Sequence, residues 1–169
     1  MSEPVRAILS LGSNLGDREG TLGAAVESIA GIDGVHLEKV SGIVETPAVK
    51  PHGVDIAAPA YLNLIVAVTT TSSPEELLVA LSGIEQDHGR VREERWGDRT
   101  LDIDIVTMGD LVQASPTVIL PHPRSSERAF VLVPWLEIEP DASLPGIGSV
   151  ALLPAAHEDV SRYETEADS

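Results

Sequence analysis

Apolar residues along this chain switch between two spacings, and the switches mark out its elements. Val5 to Leu11 is a compact apolar run ending in Gly12-Ser-Asn-Leu-Gly-Asp17, which predicts a strand entering a turn and then a helix. Leu22, Ala25, Val26 and Ile29 recur at helical spacing, and Gly31 with Gly34 ends that helix. Val35 to Val44 predicts a second strand, with Val35, Leu37, the aliphatic stem of Lys39 and Ser41 on one side, stopped by Thr46-Pro47. The stretch from Pro47 to Pro59 holds three prolines and a glycine, and at that length it predicts a functional loop rather than a tight link. Tyr61 to Thr70 is β-branched and apolar, hence a third strand.

Ser73-Pro-Glu-Glu76 predicts a capping box with proline at the first helical position, and Leu77, Leu78, Leu81 and Ile84 carry the helix to Gly89. The arginine-rich stretch after it reads as a loop and Thr100 to Met108 as a fourth strand. Ser125 to Leu136 reads as a short helix after the Pro121-His-Pro123 turn. From Ala155 to Ser169 the chain carries five acids, one arginine and no apolar stripe, which predicts a disordered tail. The order strand, helix, strand, strand, helix, strand predicts an α+β fold: a ferredoxin-like βαββαβ antiparallel sheet with helices on one face plus a C-terminal extension. We expect one domain over residues 1–154 and a tail over 155–169.

A net charge of -16 argues against non-specific binding to nucleic acid or anionic membranes, both of which rest on a basic face. The absence of cysteine removes disulfides, thiolate catalysis and Cys-based zinc sites. The N-terminus has no basic segment followed by an apolar run, and no stretch approaches the ~18 apolar residues of a membrane span, so a cytoplasmic monomer is expected. The distribution of charge says more than its sum. Of eleven Lys and Arg, six fall between Arg90 and Arg128, and all six are Arg. Planar guanidinium groups fork onto phosphate oxygens, so the cluster suits a small-anion site, although salt bridges with Glu93, Glu94 and Glu127 would use the same residues.

Candidate chemistry centres on Leu101-Asp-Ile-Asp-Ile105, where a period of two sends the apolar residues one way and Asp102 with Asp104 the other. Residues two apart on a strand stand roughly 6.5 to 7 Å apart. Two carboxylates at that distance can share a pair of hard cations about 3.5 to 4 Å apart, as polyphosphate chemistry requires; two solvated aspartates on an exposed face give the same pattern. The glycines of Gly12-Ser-Asn-Leu-Gly16 lack the Lys-Ser/Thr ending of a phosphate loop and read as a turn. Any nucleotide is then held by arginines and metal. Tyr61 and Phe130 flank apolar segments and suit a core, whereas Trp96 stands among charges, which suits closure over a planar ligand. His122, in Leu-Pro-His-Pro-Arg124, reads equally as a phosphate donor and as part of a rigid turn. No Ser-His-Asp order or nucleophile elbow supports acyl transfer.

Five stations, in order, resemble the 6-hydroxymethyl-7,8-dihydropterin pyrophosphokinase family: Leu11-Gly-Ser-Asn-Leu15, Glu45-Thr-Pro47, Tyr61-Leu-Asn63, the run from Gly89 to Ile105, and Pro121-His122 followed by Arg128-Ala-Phe130. The resemblance implies transfer of pyrophosphate from ATP to the pterin hydroxymethyl group, by in-line attack with AMP leaving, in folate biosynthesis. It implies two Mg²⁺ ions on Asp102 and Asp104, with Arg90 and Arg92 joining them as catalytic residues. It places Glu85, Arg90, Arg92, Trp96, Arg99, Ile105, His122 and Arg128 around ATP. It places Thr46, Pro47, Val49, Tyr61, Asn63, Trp96 and Phe130 around the pterin, with Tyr61 and Phe130 sandwiching the ring and Asn63 on its edge. The loops 47–60 and 90–99 become lids. The chain departs from the family pattern at Ser82, Asp98 and Pro123. Two rivals use the same residues differently: another two-metal nucleotidyltransferase on a palm-like sheet, and a non-enzymatic ferredoxin-like ligand-binding domain.

Overall fold

The computed structural model describes residues 4–13, 18–46, 49–50, 53–54, 61–89, 101–158 and 160–162. Its strands are β1 (Val5–Ser13), β2 (Val35–Val40), β3 (Val44–Thr46), β4 (Val49–Lys50), β5 (Gly53–Val54) and β6 (Tyr61–Thr70). Further along come β7 (Asp102–Met108), β8 (Gln113–Ala114), β9 (Ile119–Leu120), β10 (Ser143–Leu144), β11 (Gly148–Ser149) and β12 (Ser161–Arg162). The helices are α1 (Arg18–Ala30), α2 (Pro74–Gly89) and α3 (Ala129–Ile138), with short 3₁₀ turns at Ser125–Glu127, Val150–Leu152 and Pro154–His157. Among the described residues no helix is long and apolar enough to cross a membrane.

One antiparallel sheet organises the molecule in the order β12, β3, β6, β1, β7, with β2 also paired to β6. The four strands read from sequence are all present. The second differs, because 35–44 is not continuous: β2 pairs with residues 66–70 of β6 and β3 with residues 61–63. Ser41 explains the break. Its N–H donates to the Ile65 carbonyl and its hydroxyl oxygen accepts from the Ile65 N–H, both at 2.8 Å, so a side chain takes over half of a ladder pair.

Alternation on β1, β6 and β7 feeds two hydrophobic layers. Leu9, Leu11, Leu62, Leu64, Ile103 and Ile105 pack on one face against Leu22, Ile29, Leu77 and Leu81 of α1 and α2. Ile8, Ile65, Ala67 and Val106 pack on the other against Val131, Leu132 and Trp135 of α3. Helices were expected on one face only. The C-terminal extension instead folds back and lays α3 on the second, because Ala129–Ile138 is almost wholly apolar and needs a surface to cover. The Trp135 indole donates to Glu139 at 2.8 Å, and the same carboxylate pairs with Arg6 of β1. The disordered tail expected from residue 155 is also revised in part. Ala155 and Ala156 are buried in the α3 layer and Ser161–Arg162 pairs with β3, which a reading of net charge alone misses.

The capping box of α2 is formed as expected, with the Ser73 N–H donating to Glu76 at 2.8 Å and the Glu76 N–H donating to the Ser73 hydroxyl at 3.1 Å. Ser73→Ala should lower Tm by about 2 to 4 °C at neutral pH. Hydrogen bonds from the Ser73 backbone and then its side chain hold the Glu76 carboxyl below the ordinary 4.5. A depressed carboxyl contributes stability above its unfolded value and loses it as pH falls through the folded value. Thermal melts at neutral pH and at about pH 3 should therefore show the gap between parent and Ser73→Ala narrowing in acid.

Candidate active site

The second face of the sheet is only half covered by α3, and the register fixes where the cover stops. On β1 the residues facing that side run Ile8, Ser10, Gly12; on β6 they run Ala67, Ile65, Asn63, Tyr61; on β7, past an irregularity at Val106, they run Asp104, Asp102. The apolar members lie under α3. The polar ones floor a cavity of about 660 Å³. Thr46 of β3 stands on one side, and Arg124, Glu127, Arg128, Ala129 and Phe130 lead over it into α3. Glu158 and Val160, on the segment running to β12, complete the rim.

Gly12 is the pivot of this floor, opposite Asn63 on one neighbour and Asp102 on the other. A Cβ there would lie 2.9 Å from Asn63 Oδ1, closer than side chains tolerate, so the glycine lets the amide lie flat against β1. Asn63 is buried and its Nδ2 donates to Thr46 Oγ1 at 3.0 Å, which fixes which edge of the amide faces the cavity.

Asp102 and Asp104 both reach the cavity from β7 while Ile103 between them is buried on the other face. The alternation expected from sequence holds, and the two acids lie together on one wall. Asp104 Oδ2 stands 3.9 Å from His122 Nε2 and 4.0 Å from Arg128 Nη1. His122 is anchored through its N–H to the Val106 carbonyl at 2.8 Å, after the cis Leu120–Pro121 bond. Its Nδ1 accepts from the Arg124 N–H at 3.3 Å, which places the ring proton on Nε2, toward Asp104. Burial lowers the His122 pKa; Asp104 opposes this, and Arg128 and Arg124 add to it, so the ring is neutral at neutral pH. The Arg128 guanidinium lies 5.6 Å from the centre of the Phe130 ring, joining the charged and aromatic walls.

Across Asp104 and His122 lies a second cavity of about 300 Å³, lined by Leu78, Ile105, Pro123 and residues Pro116, Thr117, Val118 and Ile119 of the β8–β9 hairpin. Sequence reading named Ile105 here but not the hairpin, whose Ser115 turn contacts are visible only once folded. Ser10, Gly12, Glu127, Glu158 and Val160 were also missed: Ser10, Gly12 and Val160 carry no chemical signature of their own, Glu127 reads from sequence as a salt-bridge partner, and Glu158 falls in the segment read as a tail. Glu85 lines neither cavity. Its Oε2 accepts the Ile103 N–H at 2.7 Å. Arg90, Arg92, Trp96, Arg99 and Pro47 lie outside the described residues, as do both expected lids apart from the short strands β4 and β5; Val49 is placed only as part of β4. Among the described residues no group of three or more His, Cys, Asp or Glu could hold a metal ion.

The family model for 7,8-dihydro-6-hydroxymethylpterin-pyrophosphokinase (HPPK) matches residues 8–140. A 2-amino-4-hydroxy-6-hydroxymethyldihydropteridine pyrophosphokinase of Methylorubrum extorquens is 42% identical over 141 residues, covering 83% of this chain and 87% of its own length. One from Bacillus subtilis is 43% identical over 132 residues, covering 78% and 77%. A Plasmodium falciparum HPPK-DHPS structure matches with a TM-score of 0.67 at 13% identity, over 90% of this chain and 45% of that one. Another HPPK-DHPS, in complex with substrates, matches with a TM-score of 0.64 at 13% identity, over 88% and 42%. The chain thus spans most of the two bacterial relatives but less than half of these two structures, with which it shares the fold.

Gly12→Ala should tip the Asn63 amide and break its bond to Thr46. Nitrogen-15 spectra report this directly: the Asn63 side-chain resonances should move well beyond those of distant residues, and unmoved resonances would refute the close approach.

Proposed function

Because the chain belongs to the 7,8-dihydro-6-hydroxymethylpterin-pyrophosphokinase family, we propose that the two cavities that share Asp104 are where the family's reaction runs. The enzyme transfers pyrophosphate from ATP to the hydroxymethyl group of 6-hydroxymethyl-7,8-dihydropterin, in folate biosynthesis, and AMP leaves. The observation that carries the siting is that one cavity is lined by Asp102 and Asp104, by the Arg124 and Arg128 guanidinium groups, by the Asn63 amide and by the Tyr61 and Phe130 rings, with His122 standing 3.9 Å from Asp104.

The pterin occupies the larger cavity. A flat heterocycle with amide-like edges takes Asn63 on its edge, held by Thr46, and the Tyr61 and Phe130 rings on its faces. The ATP nucleoside takes the smaller cavity, against Leu78, Ile105 and the β8–β9 hairpin, and its phosphates cross past His122 and Asp104 toward the pterin. His122 Nε2–H and the Arg128 guanidinium donate to phosphate oxygens there. For Arg90, Arg92, Trp96 and Arg99 we keep the nucleotide role, and for Pro47 and Val49 the pterin role, that the family pattern implies.

Asp102 and Asp104 suit two Mg²⁺ ions. Two carboxylates are hard oxygen donors of the kind that Mg²⁺ prefers, and they would hold it beside the phosphates. Bound there, Mg²⁺ supplies neutralisation of the triphosphate charge. The protein's own work is positioning: the β7 acids, His122 and Arg128 fix the phosphates, and Asn63 with the rings aims the hydroxymethyl oxygen along the line of displacement.

We also read the sheet as ferredoxin-like, supported by wholly antiparallel pairing in which β6 separates β2 from β1 and β1 separates β6 from β7. The single domain extends to β12, past the boundary expected at residue 154.

Incubation with ATP, Mg²⁺ and the dihydropterin should give AMP only when the pterin is present; pterin-independent release of pyrophosphate would favour a nucleotidyltransferase. Asp102→Asn with Asp104→Asn should lower that rate on the order of 10²-fold or more with Tm retained, and full activity would rule out the cation site. Phe130→Ala should raise the pterin KM about 2- to 10-fold while the ATP KM holds; a change in thermal stability alone would return Phe130 to the core.

A further inference from the structure

We infer that Glu85 is a positioning residue, which sets the two aspartates of β7 by holding the backbone amide between them. Among the described residues β7 ends the sheet, so one of its edges has no neighbouring strand there to fix it. On that strand Ile103 sits between Asp102 and Asp104, its side chain buried under α2, and its N–H donates to Glu85 Oε2 at 2.7 Å. A short bond from an amide to a carboxylate is among the stronger hydrogen bonds available. A second hold lies on the other side of Asp104, where the His122 N–H donates to the Val106 carbonyl at 2.8 Å. Asp104 is therefore bracketed by one hold from α2 and one from the turn that carries His122.

Alternation makes the Ile103 hold act on both acids at once. Any twist or slip of β7 turns Asp102 and Asp104 together, since both project from the face opposite Ile103. α2 itself is fastened by Leu77, Leu81 and Ile84 in the first core layer and by its capping box, so Glu85 reaches β7 from a rigid support. Its carboxylate lines neither cavity. The residue expected beside the nucleotide thus acts through the strand that holds the cations, and the inference rests on the assignment of Asp102 and Asp104 to them.

Glu85→Gln keeps an acceptor oxygen for the Ile103 N–H, and Glu85→Ala removes it. Glu85→Ala should raise the Mg²⁺ concentration for half-maximal rate about 10- to 100-fold and leave the pterin KM within about twofold, and Glu85→Gln should restore the parent's Mg²⁺ dependence to within about threefold. Hydrogen exchange at Ile103 gives a readout independent of turnover: slow in the parent and in Glu85→Gln, at least about tenfold faster in Glu85→Ala. If Glu85→Ala does not fold, exchange in the parent decides, slow exchange at Ile103 supporting the hold and exchange at the rate of a free edge amide overturning it. Unchanged Mg²⁺ dependence and exchange in Glu85→Ala, or equal losses in both variants, would also overturn it. An inactive Asp102→Asn/Asp104→Asn protein beside an indifferent Glu85→Ala removes only the positioning role, whereas an active double variant removes the cation site beneath it.

Discussion

The register of β1 between β6 and β7 is the constraint on which the site depends. Gly12 faces Asn63 on one side and Asp102 on the other, and Ser10 faces Ile65 and Asp104. That single alignment puts the amide expected to meet the pterin and the acids expected to meet the cations in neighbouring rows on one face. The buried leucines, Leu9 and Leu11 on β1 with Leu62 and Leu64 on β6, enforce it from the opposite face. A slip of β1 by one residue would send Leu9 and Leu11 toward the cavity and Ser10 into the core, at roughly 1.5 to 3 kcal/mol for each large side chain left in water.

The same face does two jobs because its composition changes along the strands. Ile8, Ile65, Ala67 and Val106 form a dry half that α3 covers, and Ser10, Gly12, Asn63, Asp102 and Asp104 form a polar half that it leaves open. The first turn of α3 lies at the border. Phe130 is thus packed against the second core layer while also lining the cavity, and this dual position explains why its sequence neighbourhood reads as core. Arg128 is carried to the same border by the apolar packing of Val131, Leu132 and Trp135. Placement of a cation in the site is therefore a by-product of covering the second face.

Local periodicity made much of this legible. The four main strands, both long helices, the Ser73–Glu76 box and the facing of Asp102 and Asp104 all follow from residues within a few positions of one another. Features decided by distant partners did not. The break in 35–44 depends on Ser41 meeting Ile65, the second-face helix on an apolar patch assembled from three strands, and the order of 155–162 on Ala155, Ala156 and an open edge at β3. At the site, side chains with distinctive chemistry were found from sequence. Gly12, Ser10 and the β8–β9 hairpin escaped notice because their roles are matters of close approach and shape. Glu85 was singled out from the family pattern, but its bond to the Ile103 amide joins residues 18 positions apart on two elements, which no local spacing reveals.

An acidic protein that handles a triphosphate has to concentrate positive charge where the overall field is repulsive. Placing the aspartate pair on an edge strand meets this need in a way an interior strand does not. From the edge, Asp104 borders both cavities, so a cation at the proposed site would lie between the two proposed substrate positions instead of beneath one of them. The lowered pKa of His122 belongs to the same setting: burial disfavours the charged ring, and the neutral imidazole still presents a donor at Nε2 toward Asp104. What an edge strand gains in access it loses in rigidity, and the amide holds from Glu85 and His122 supply what the missing ladder would have given.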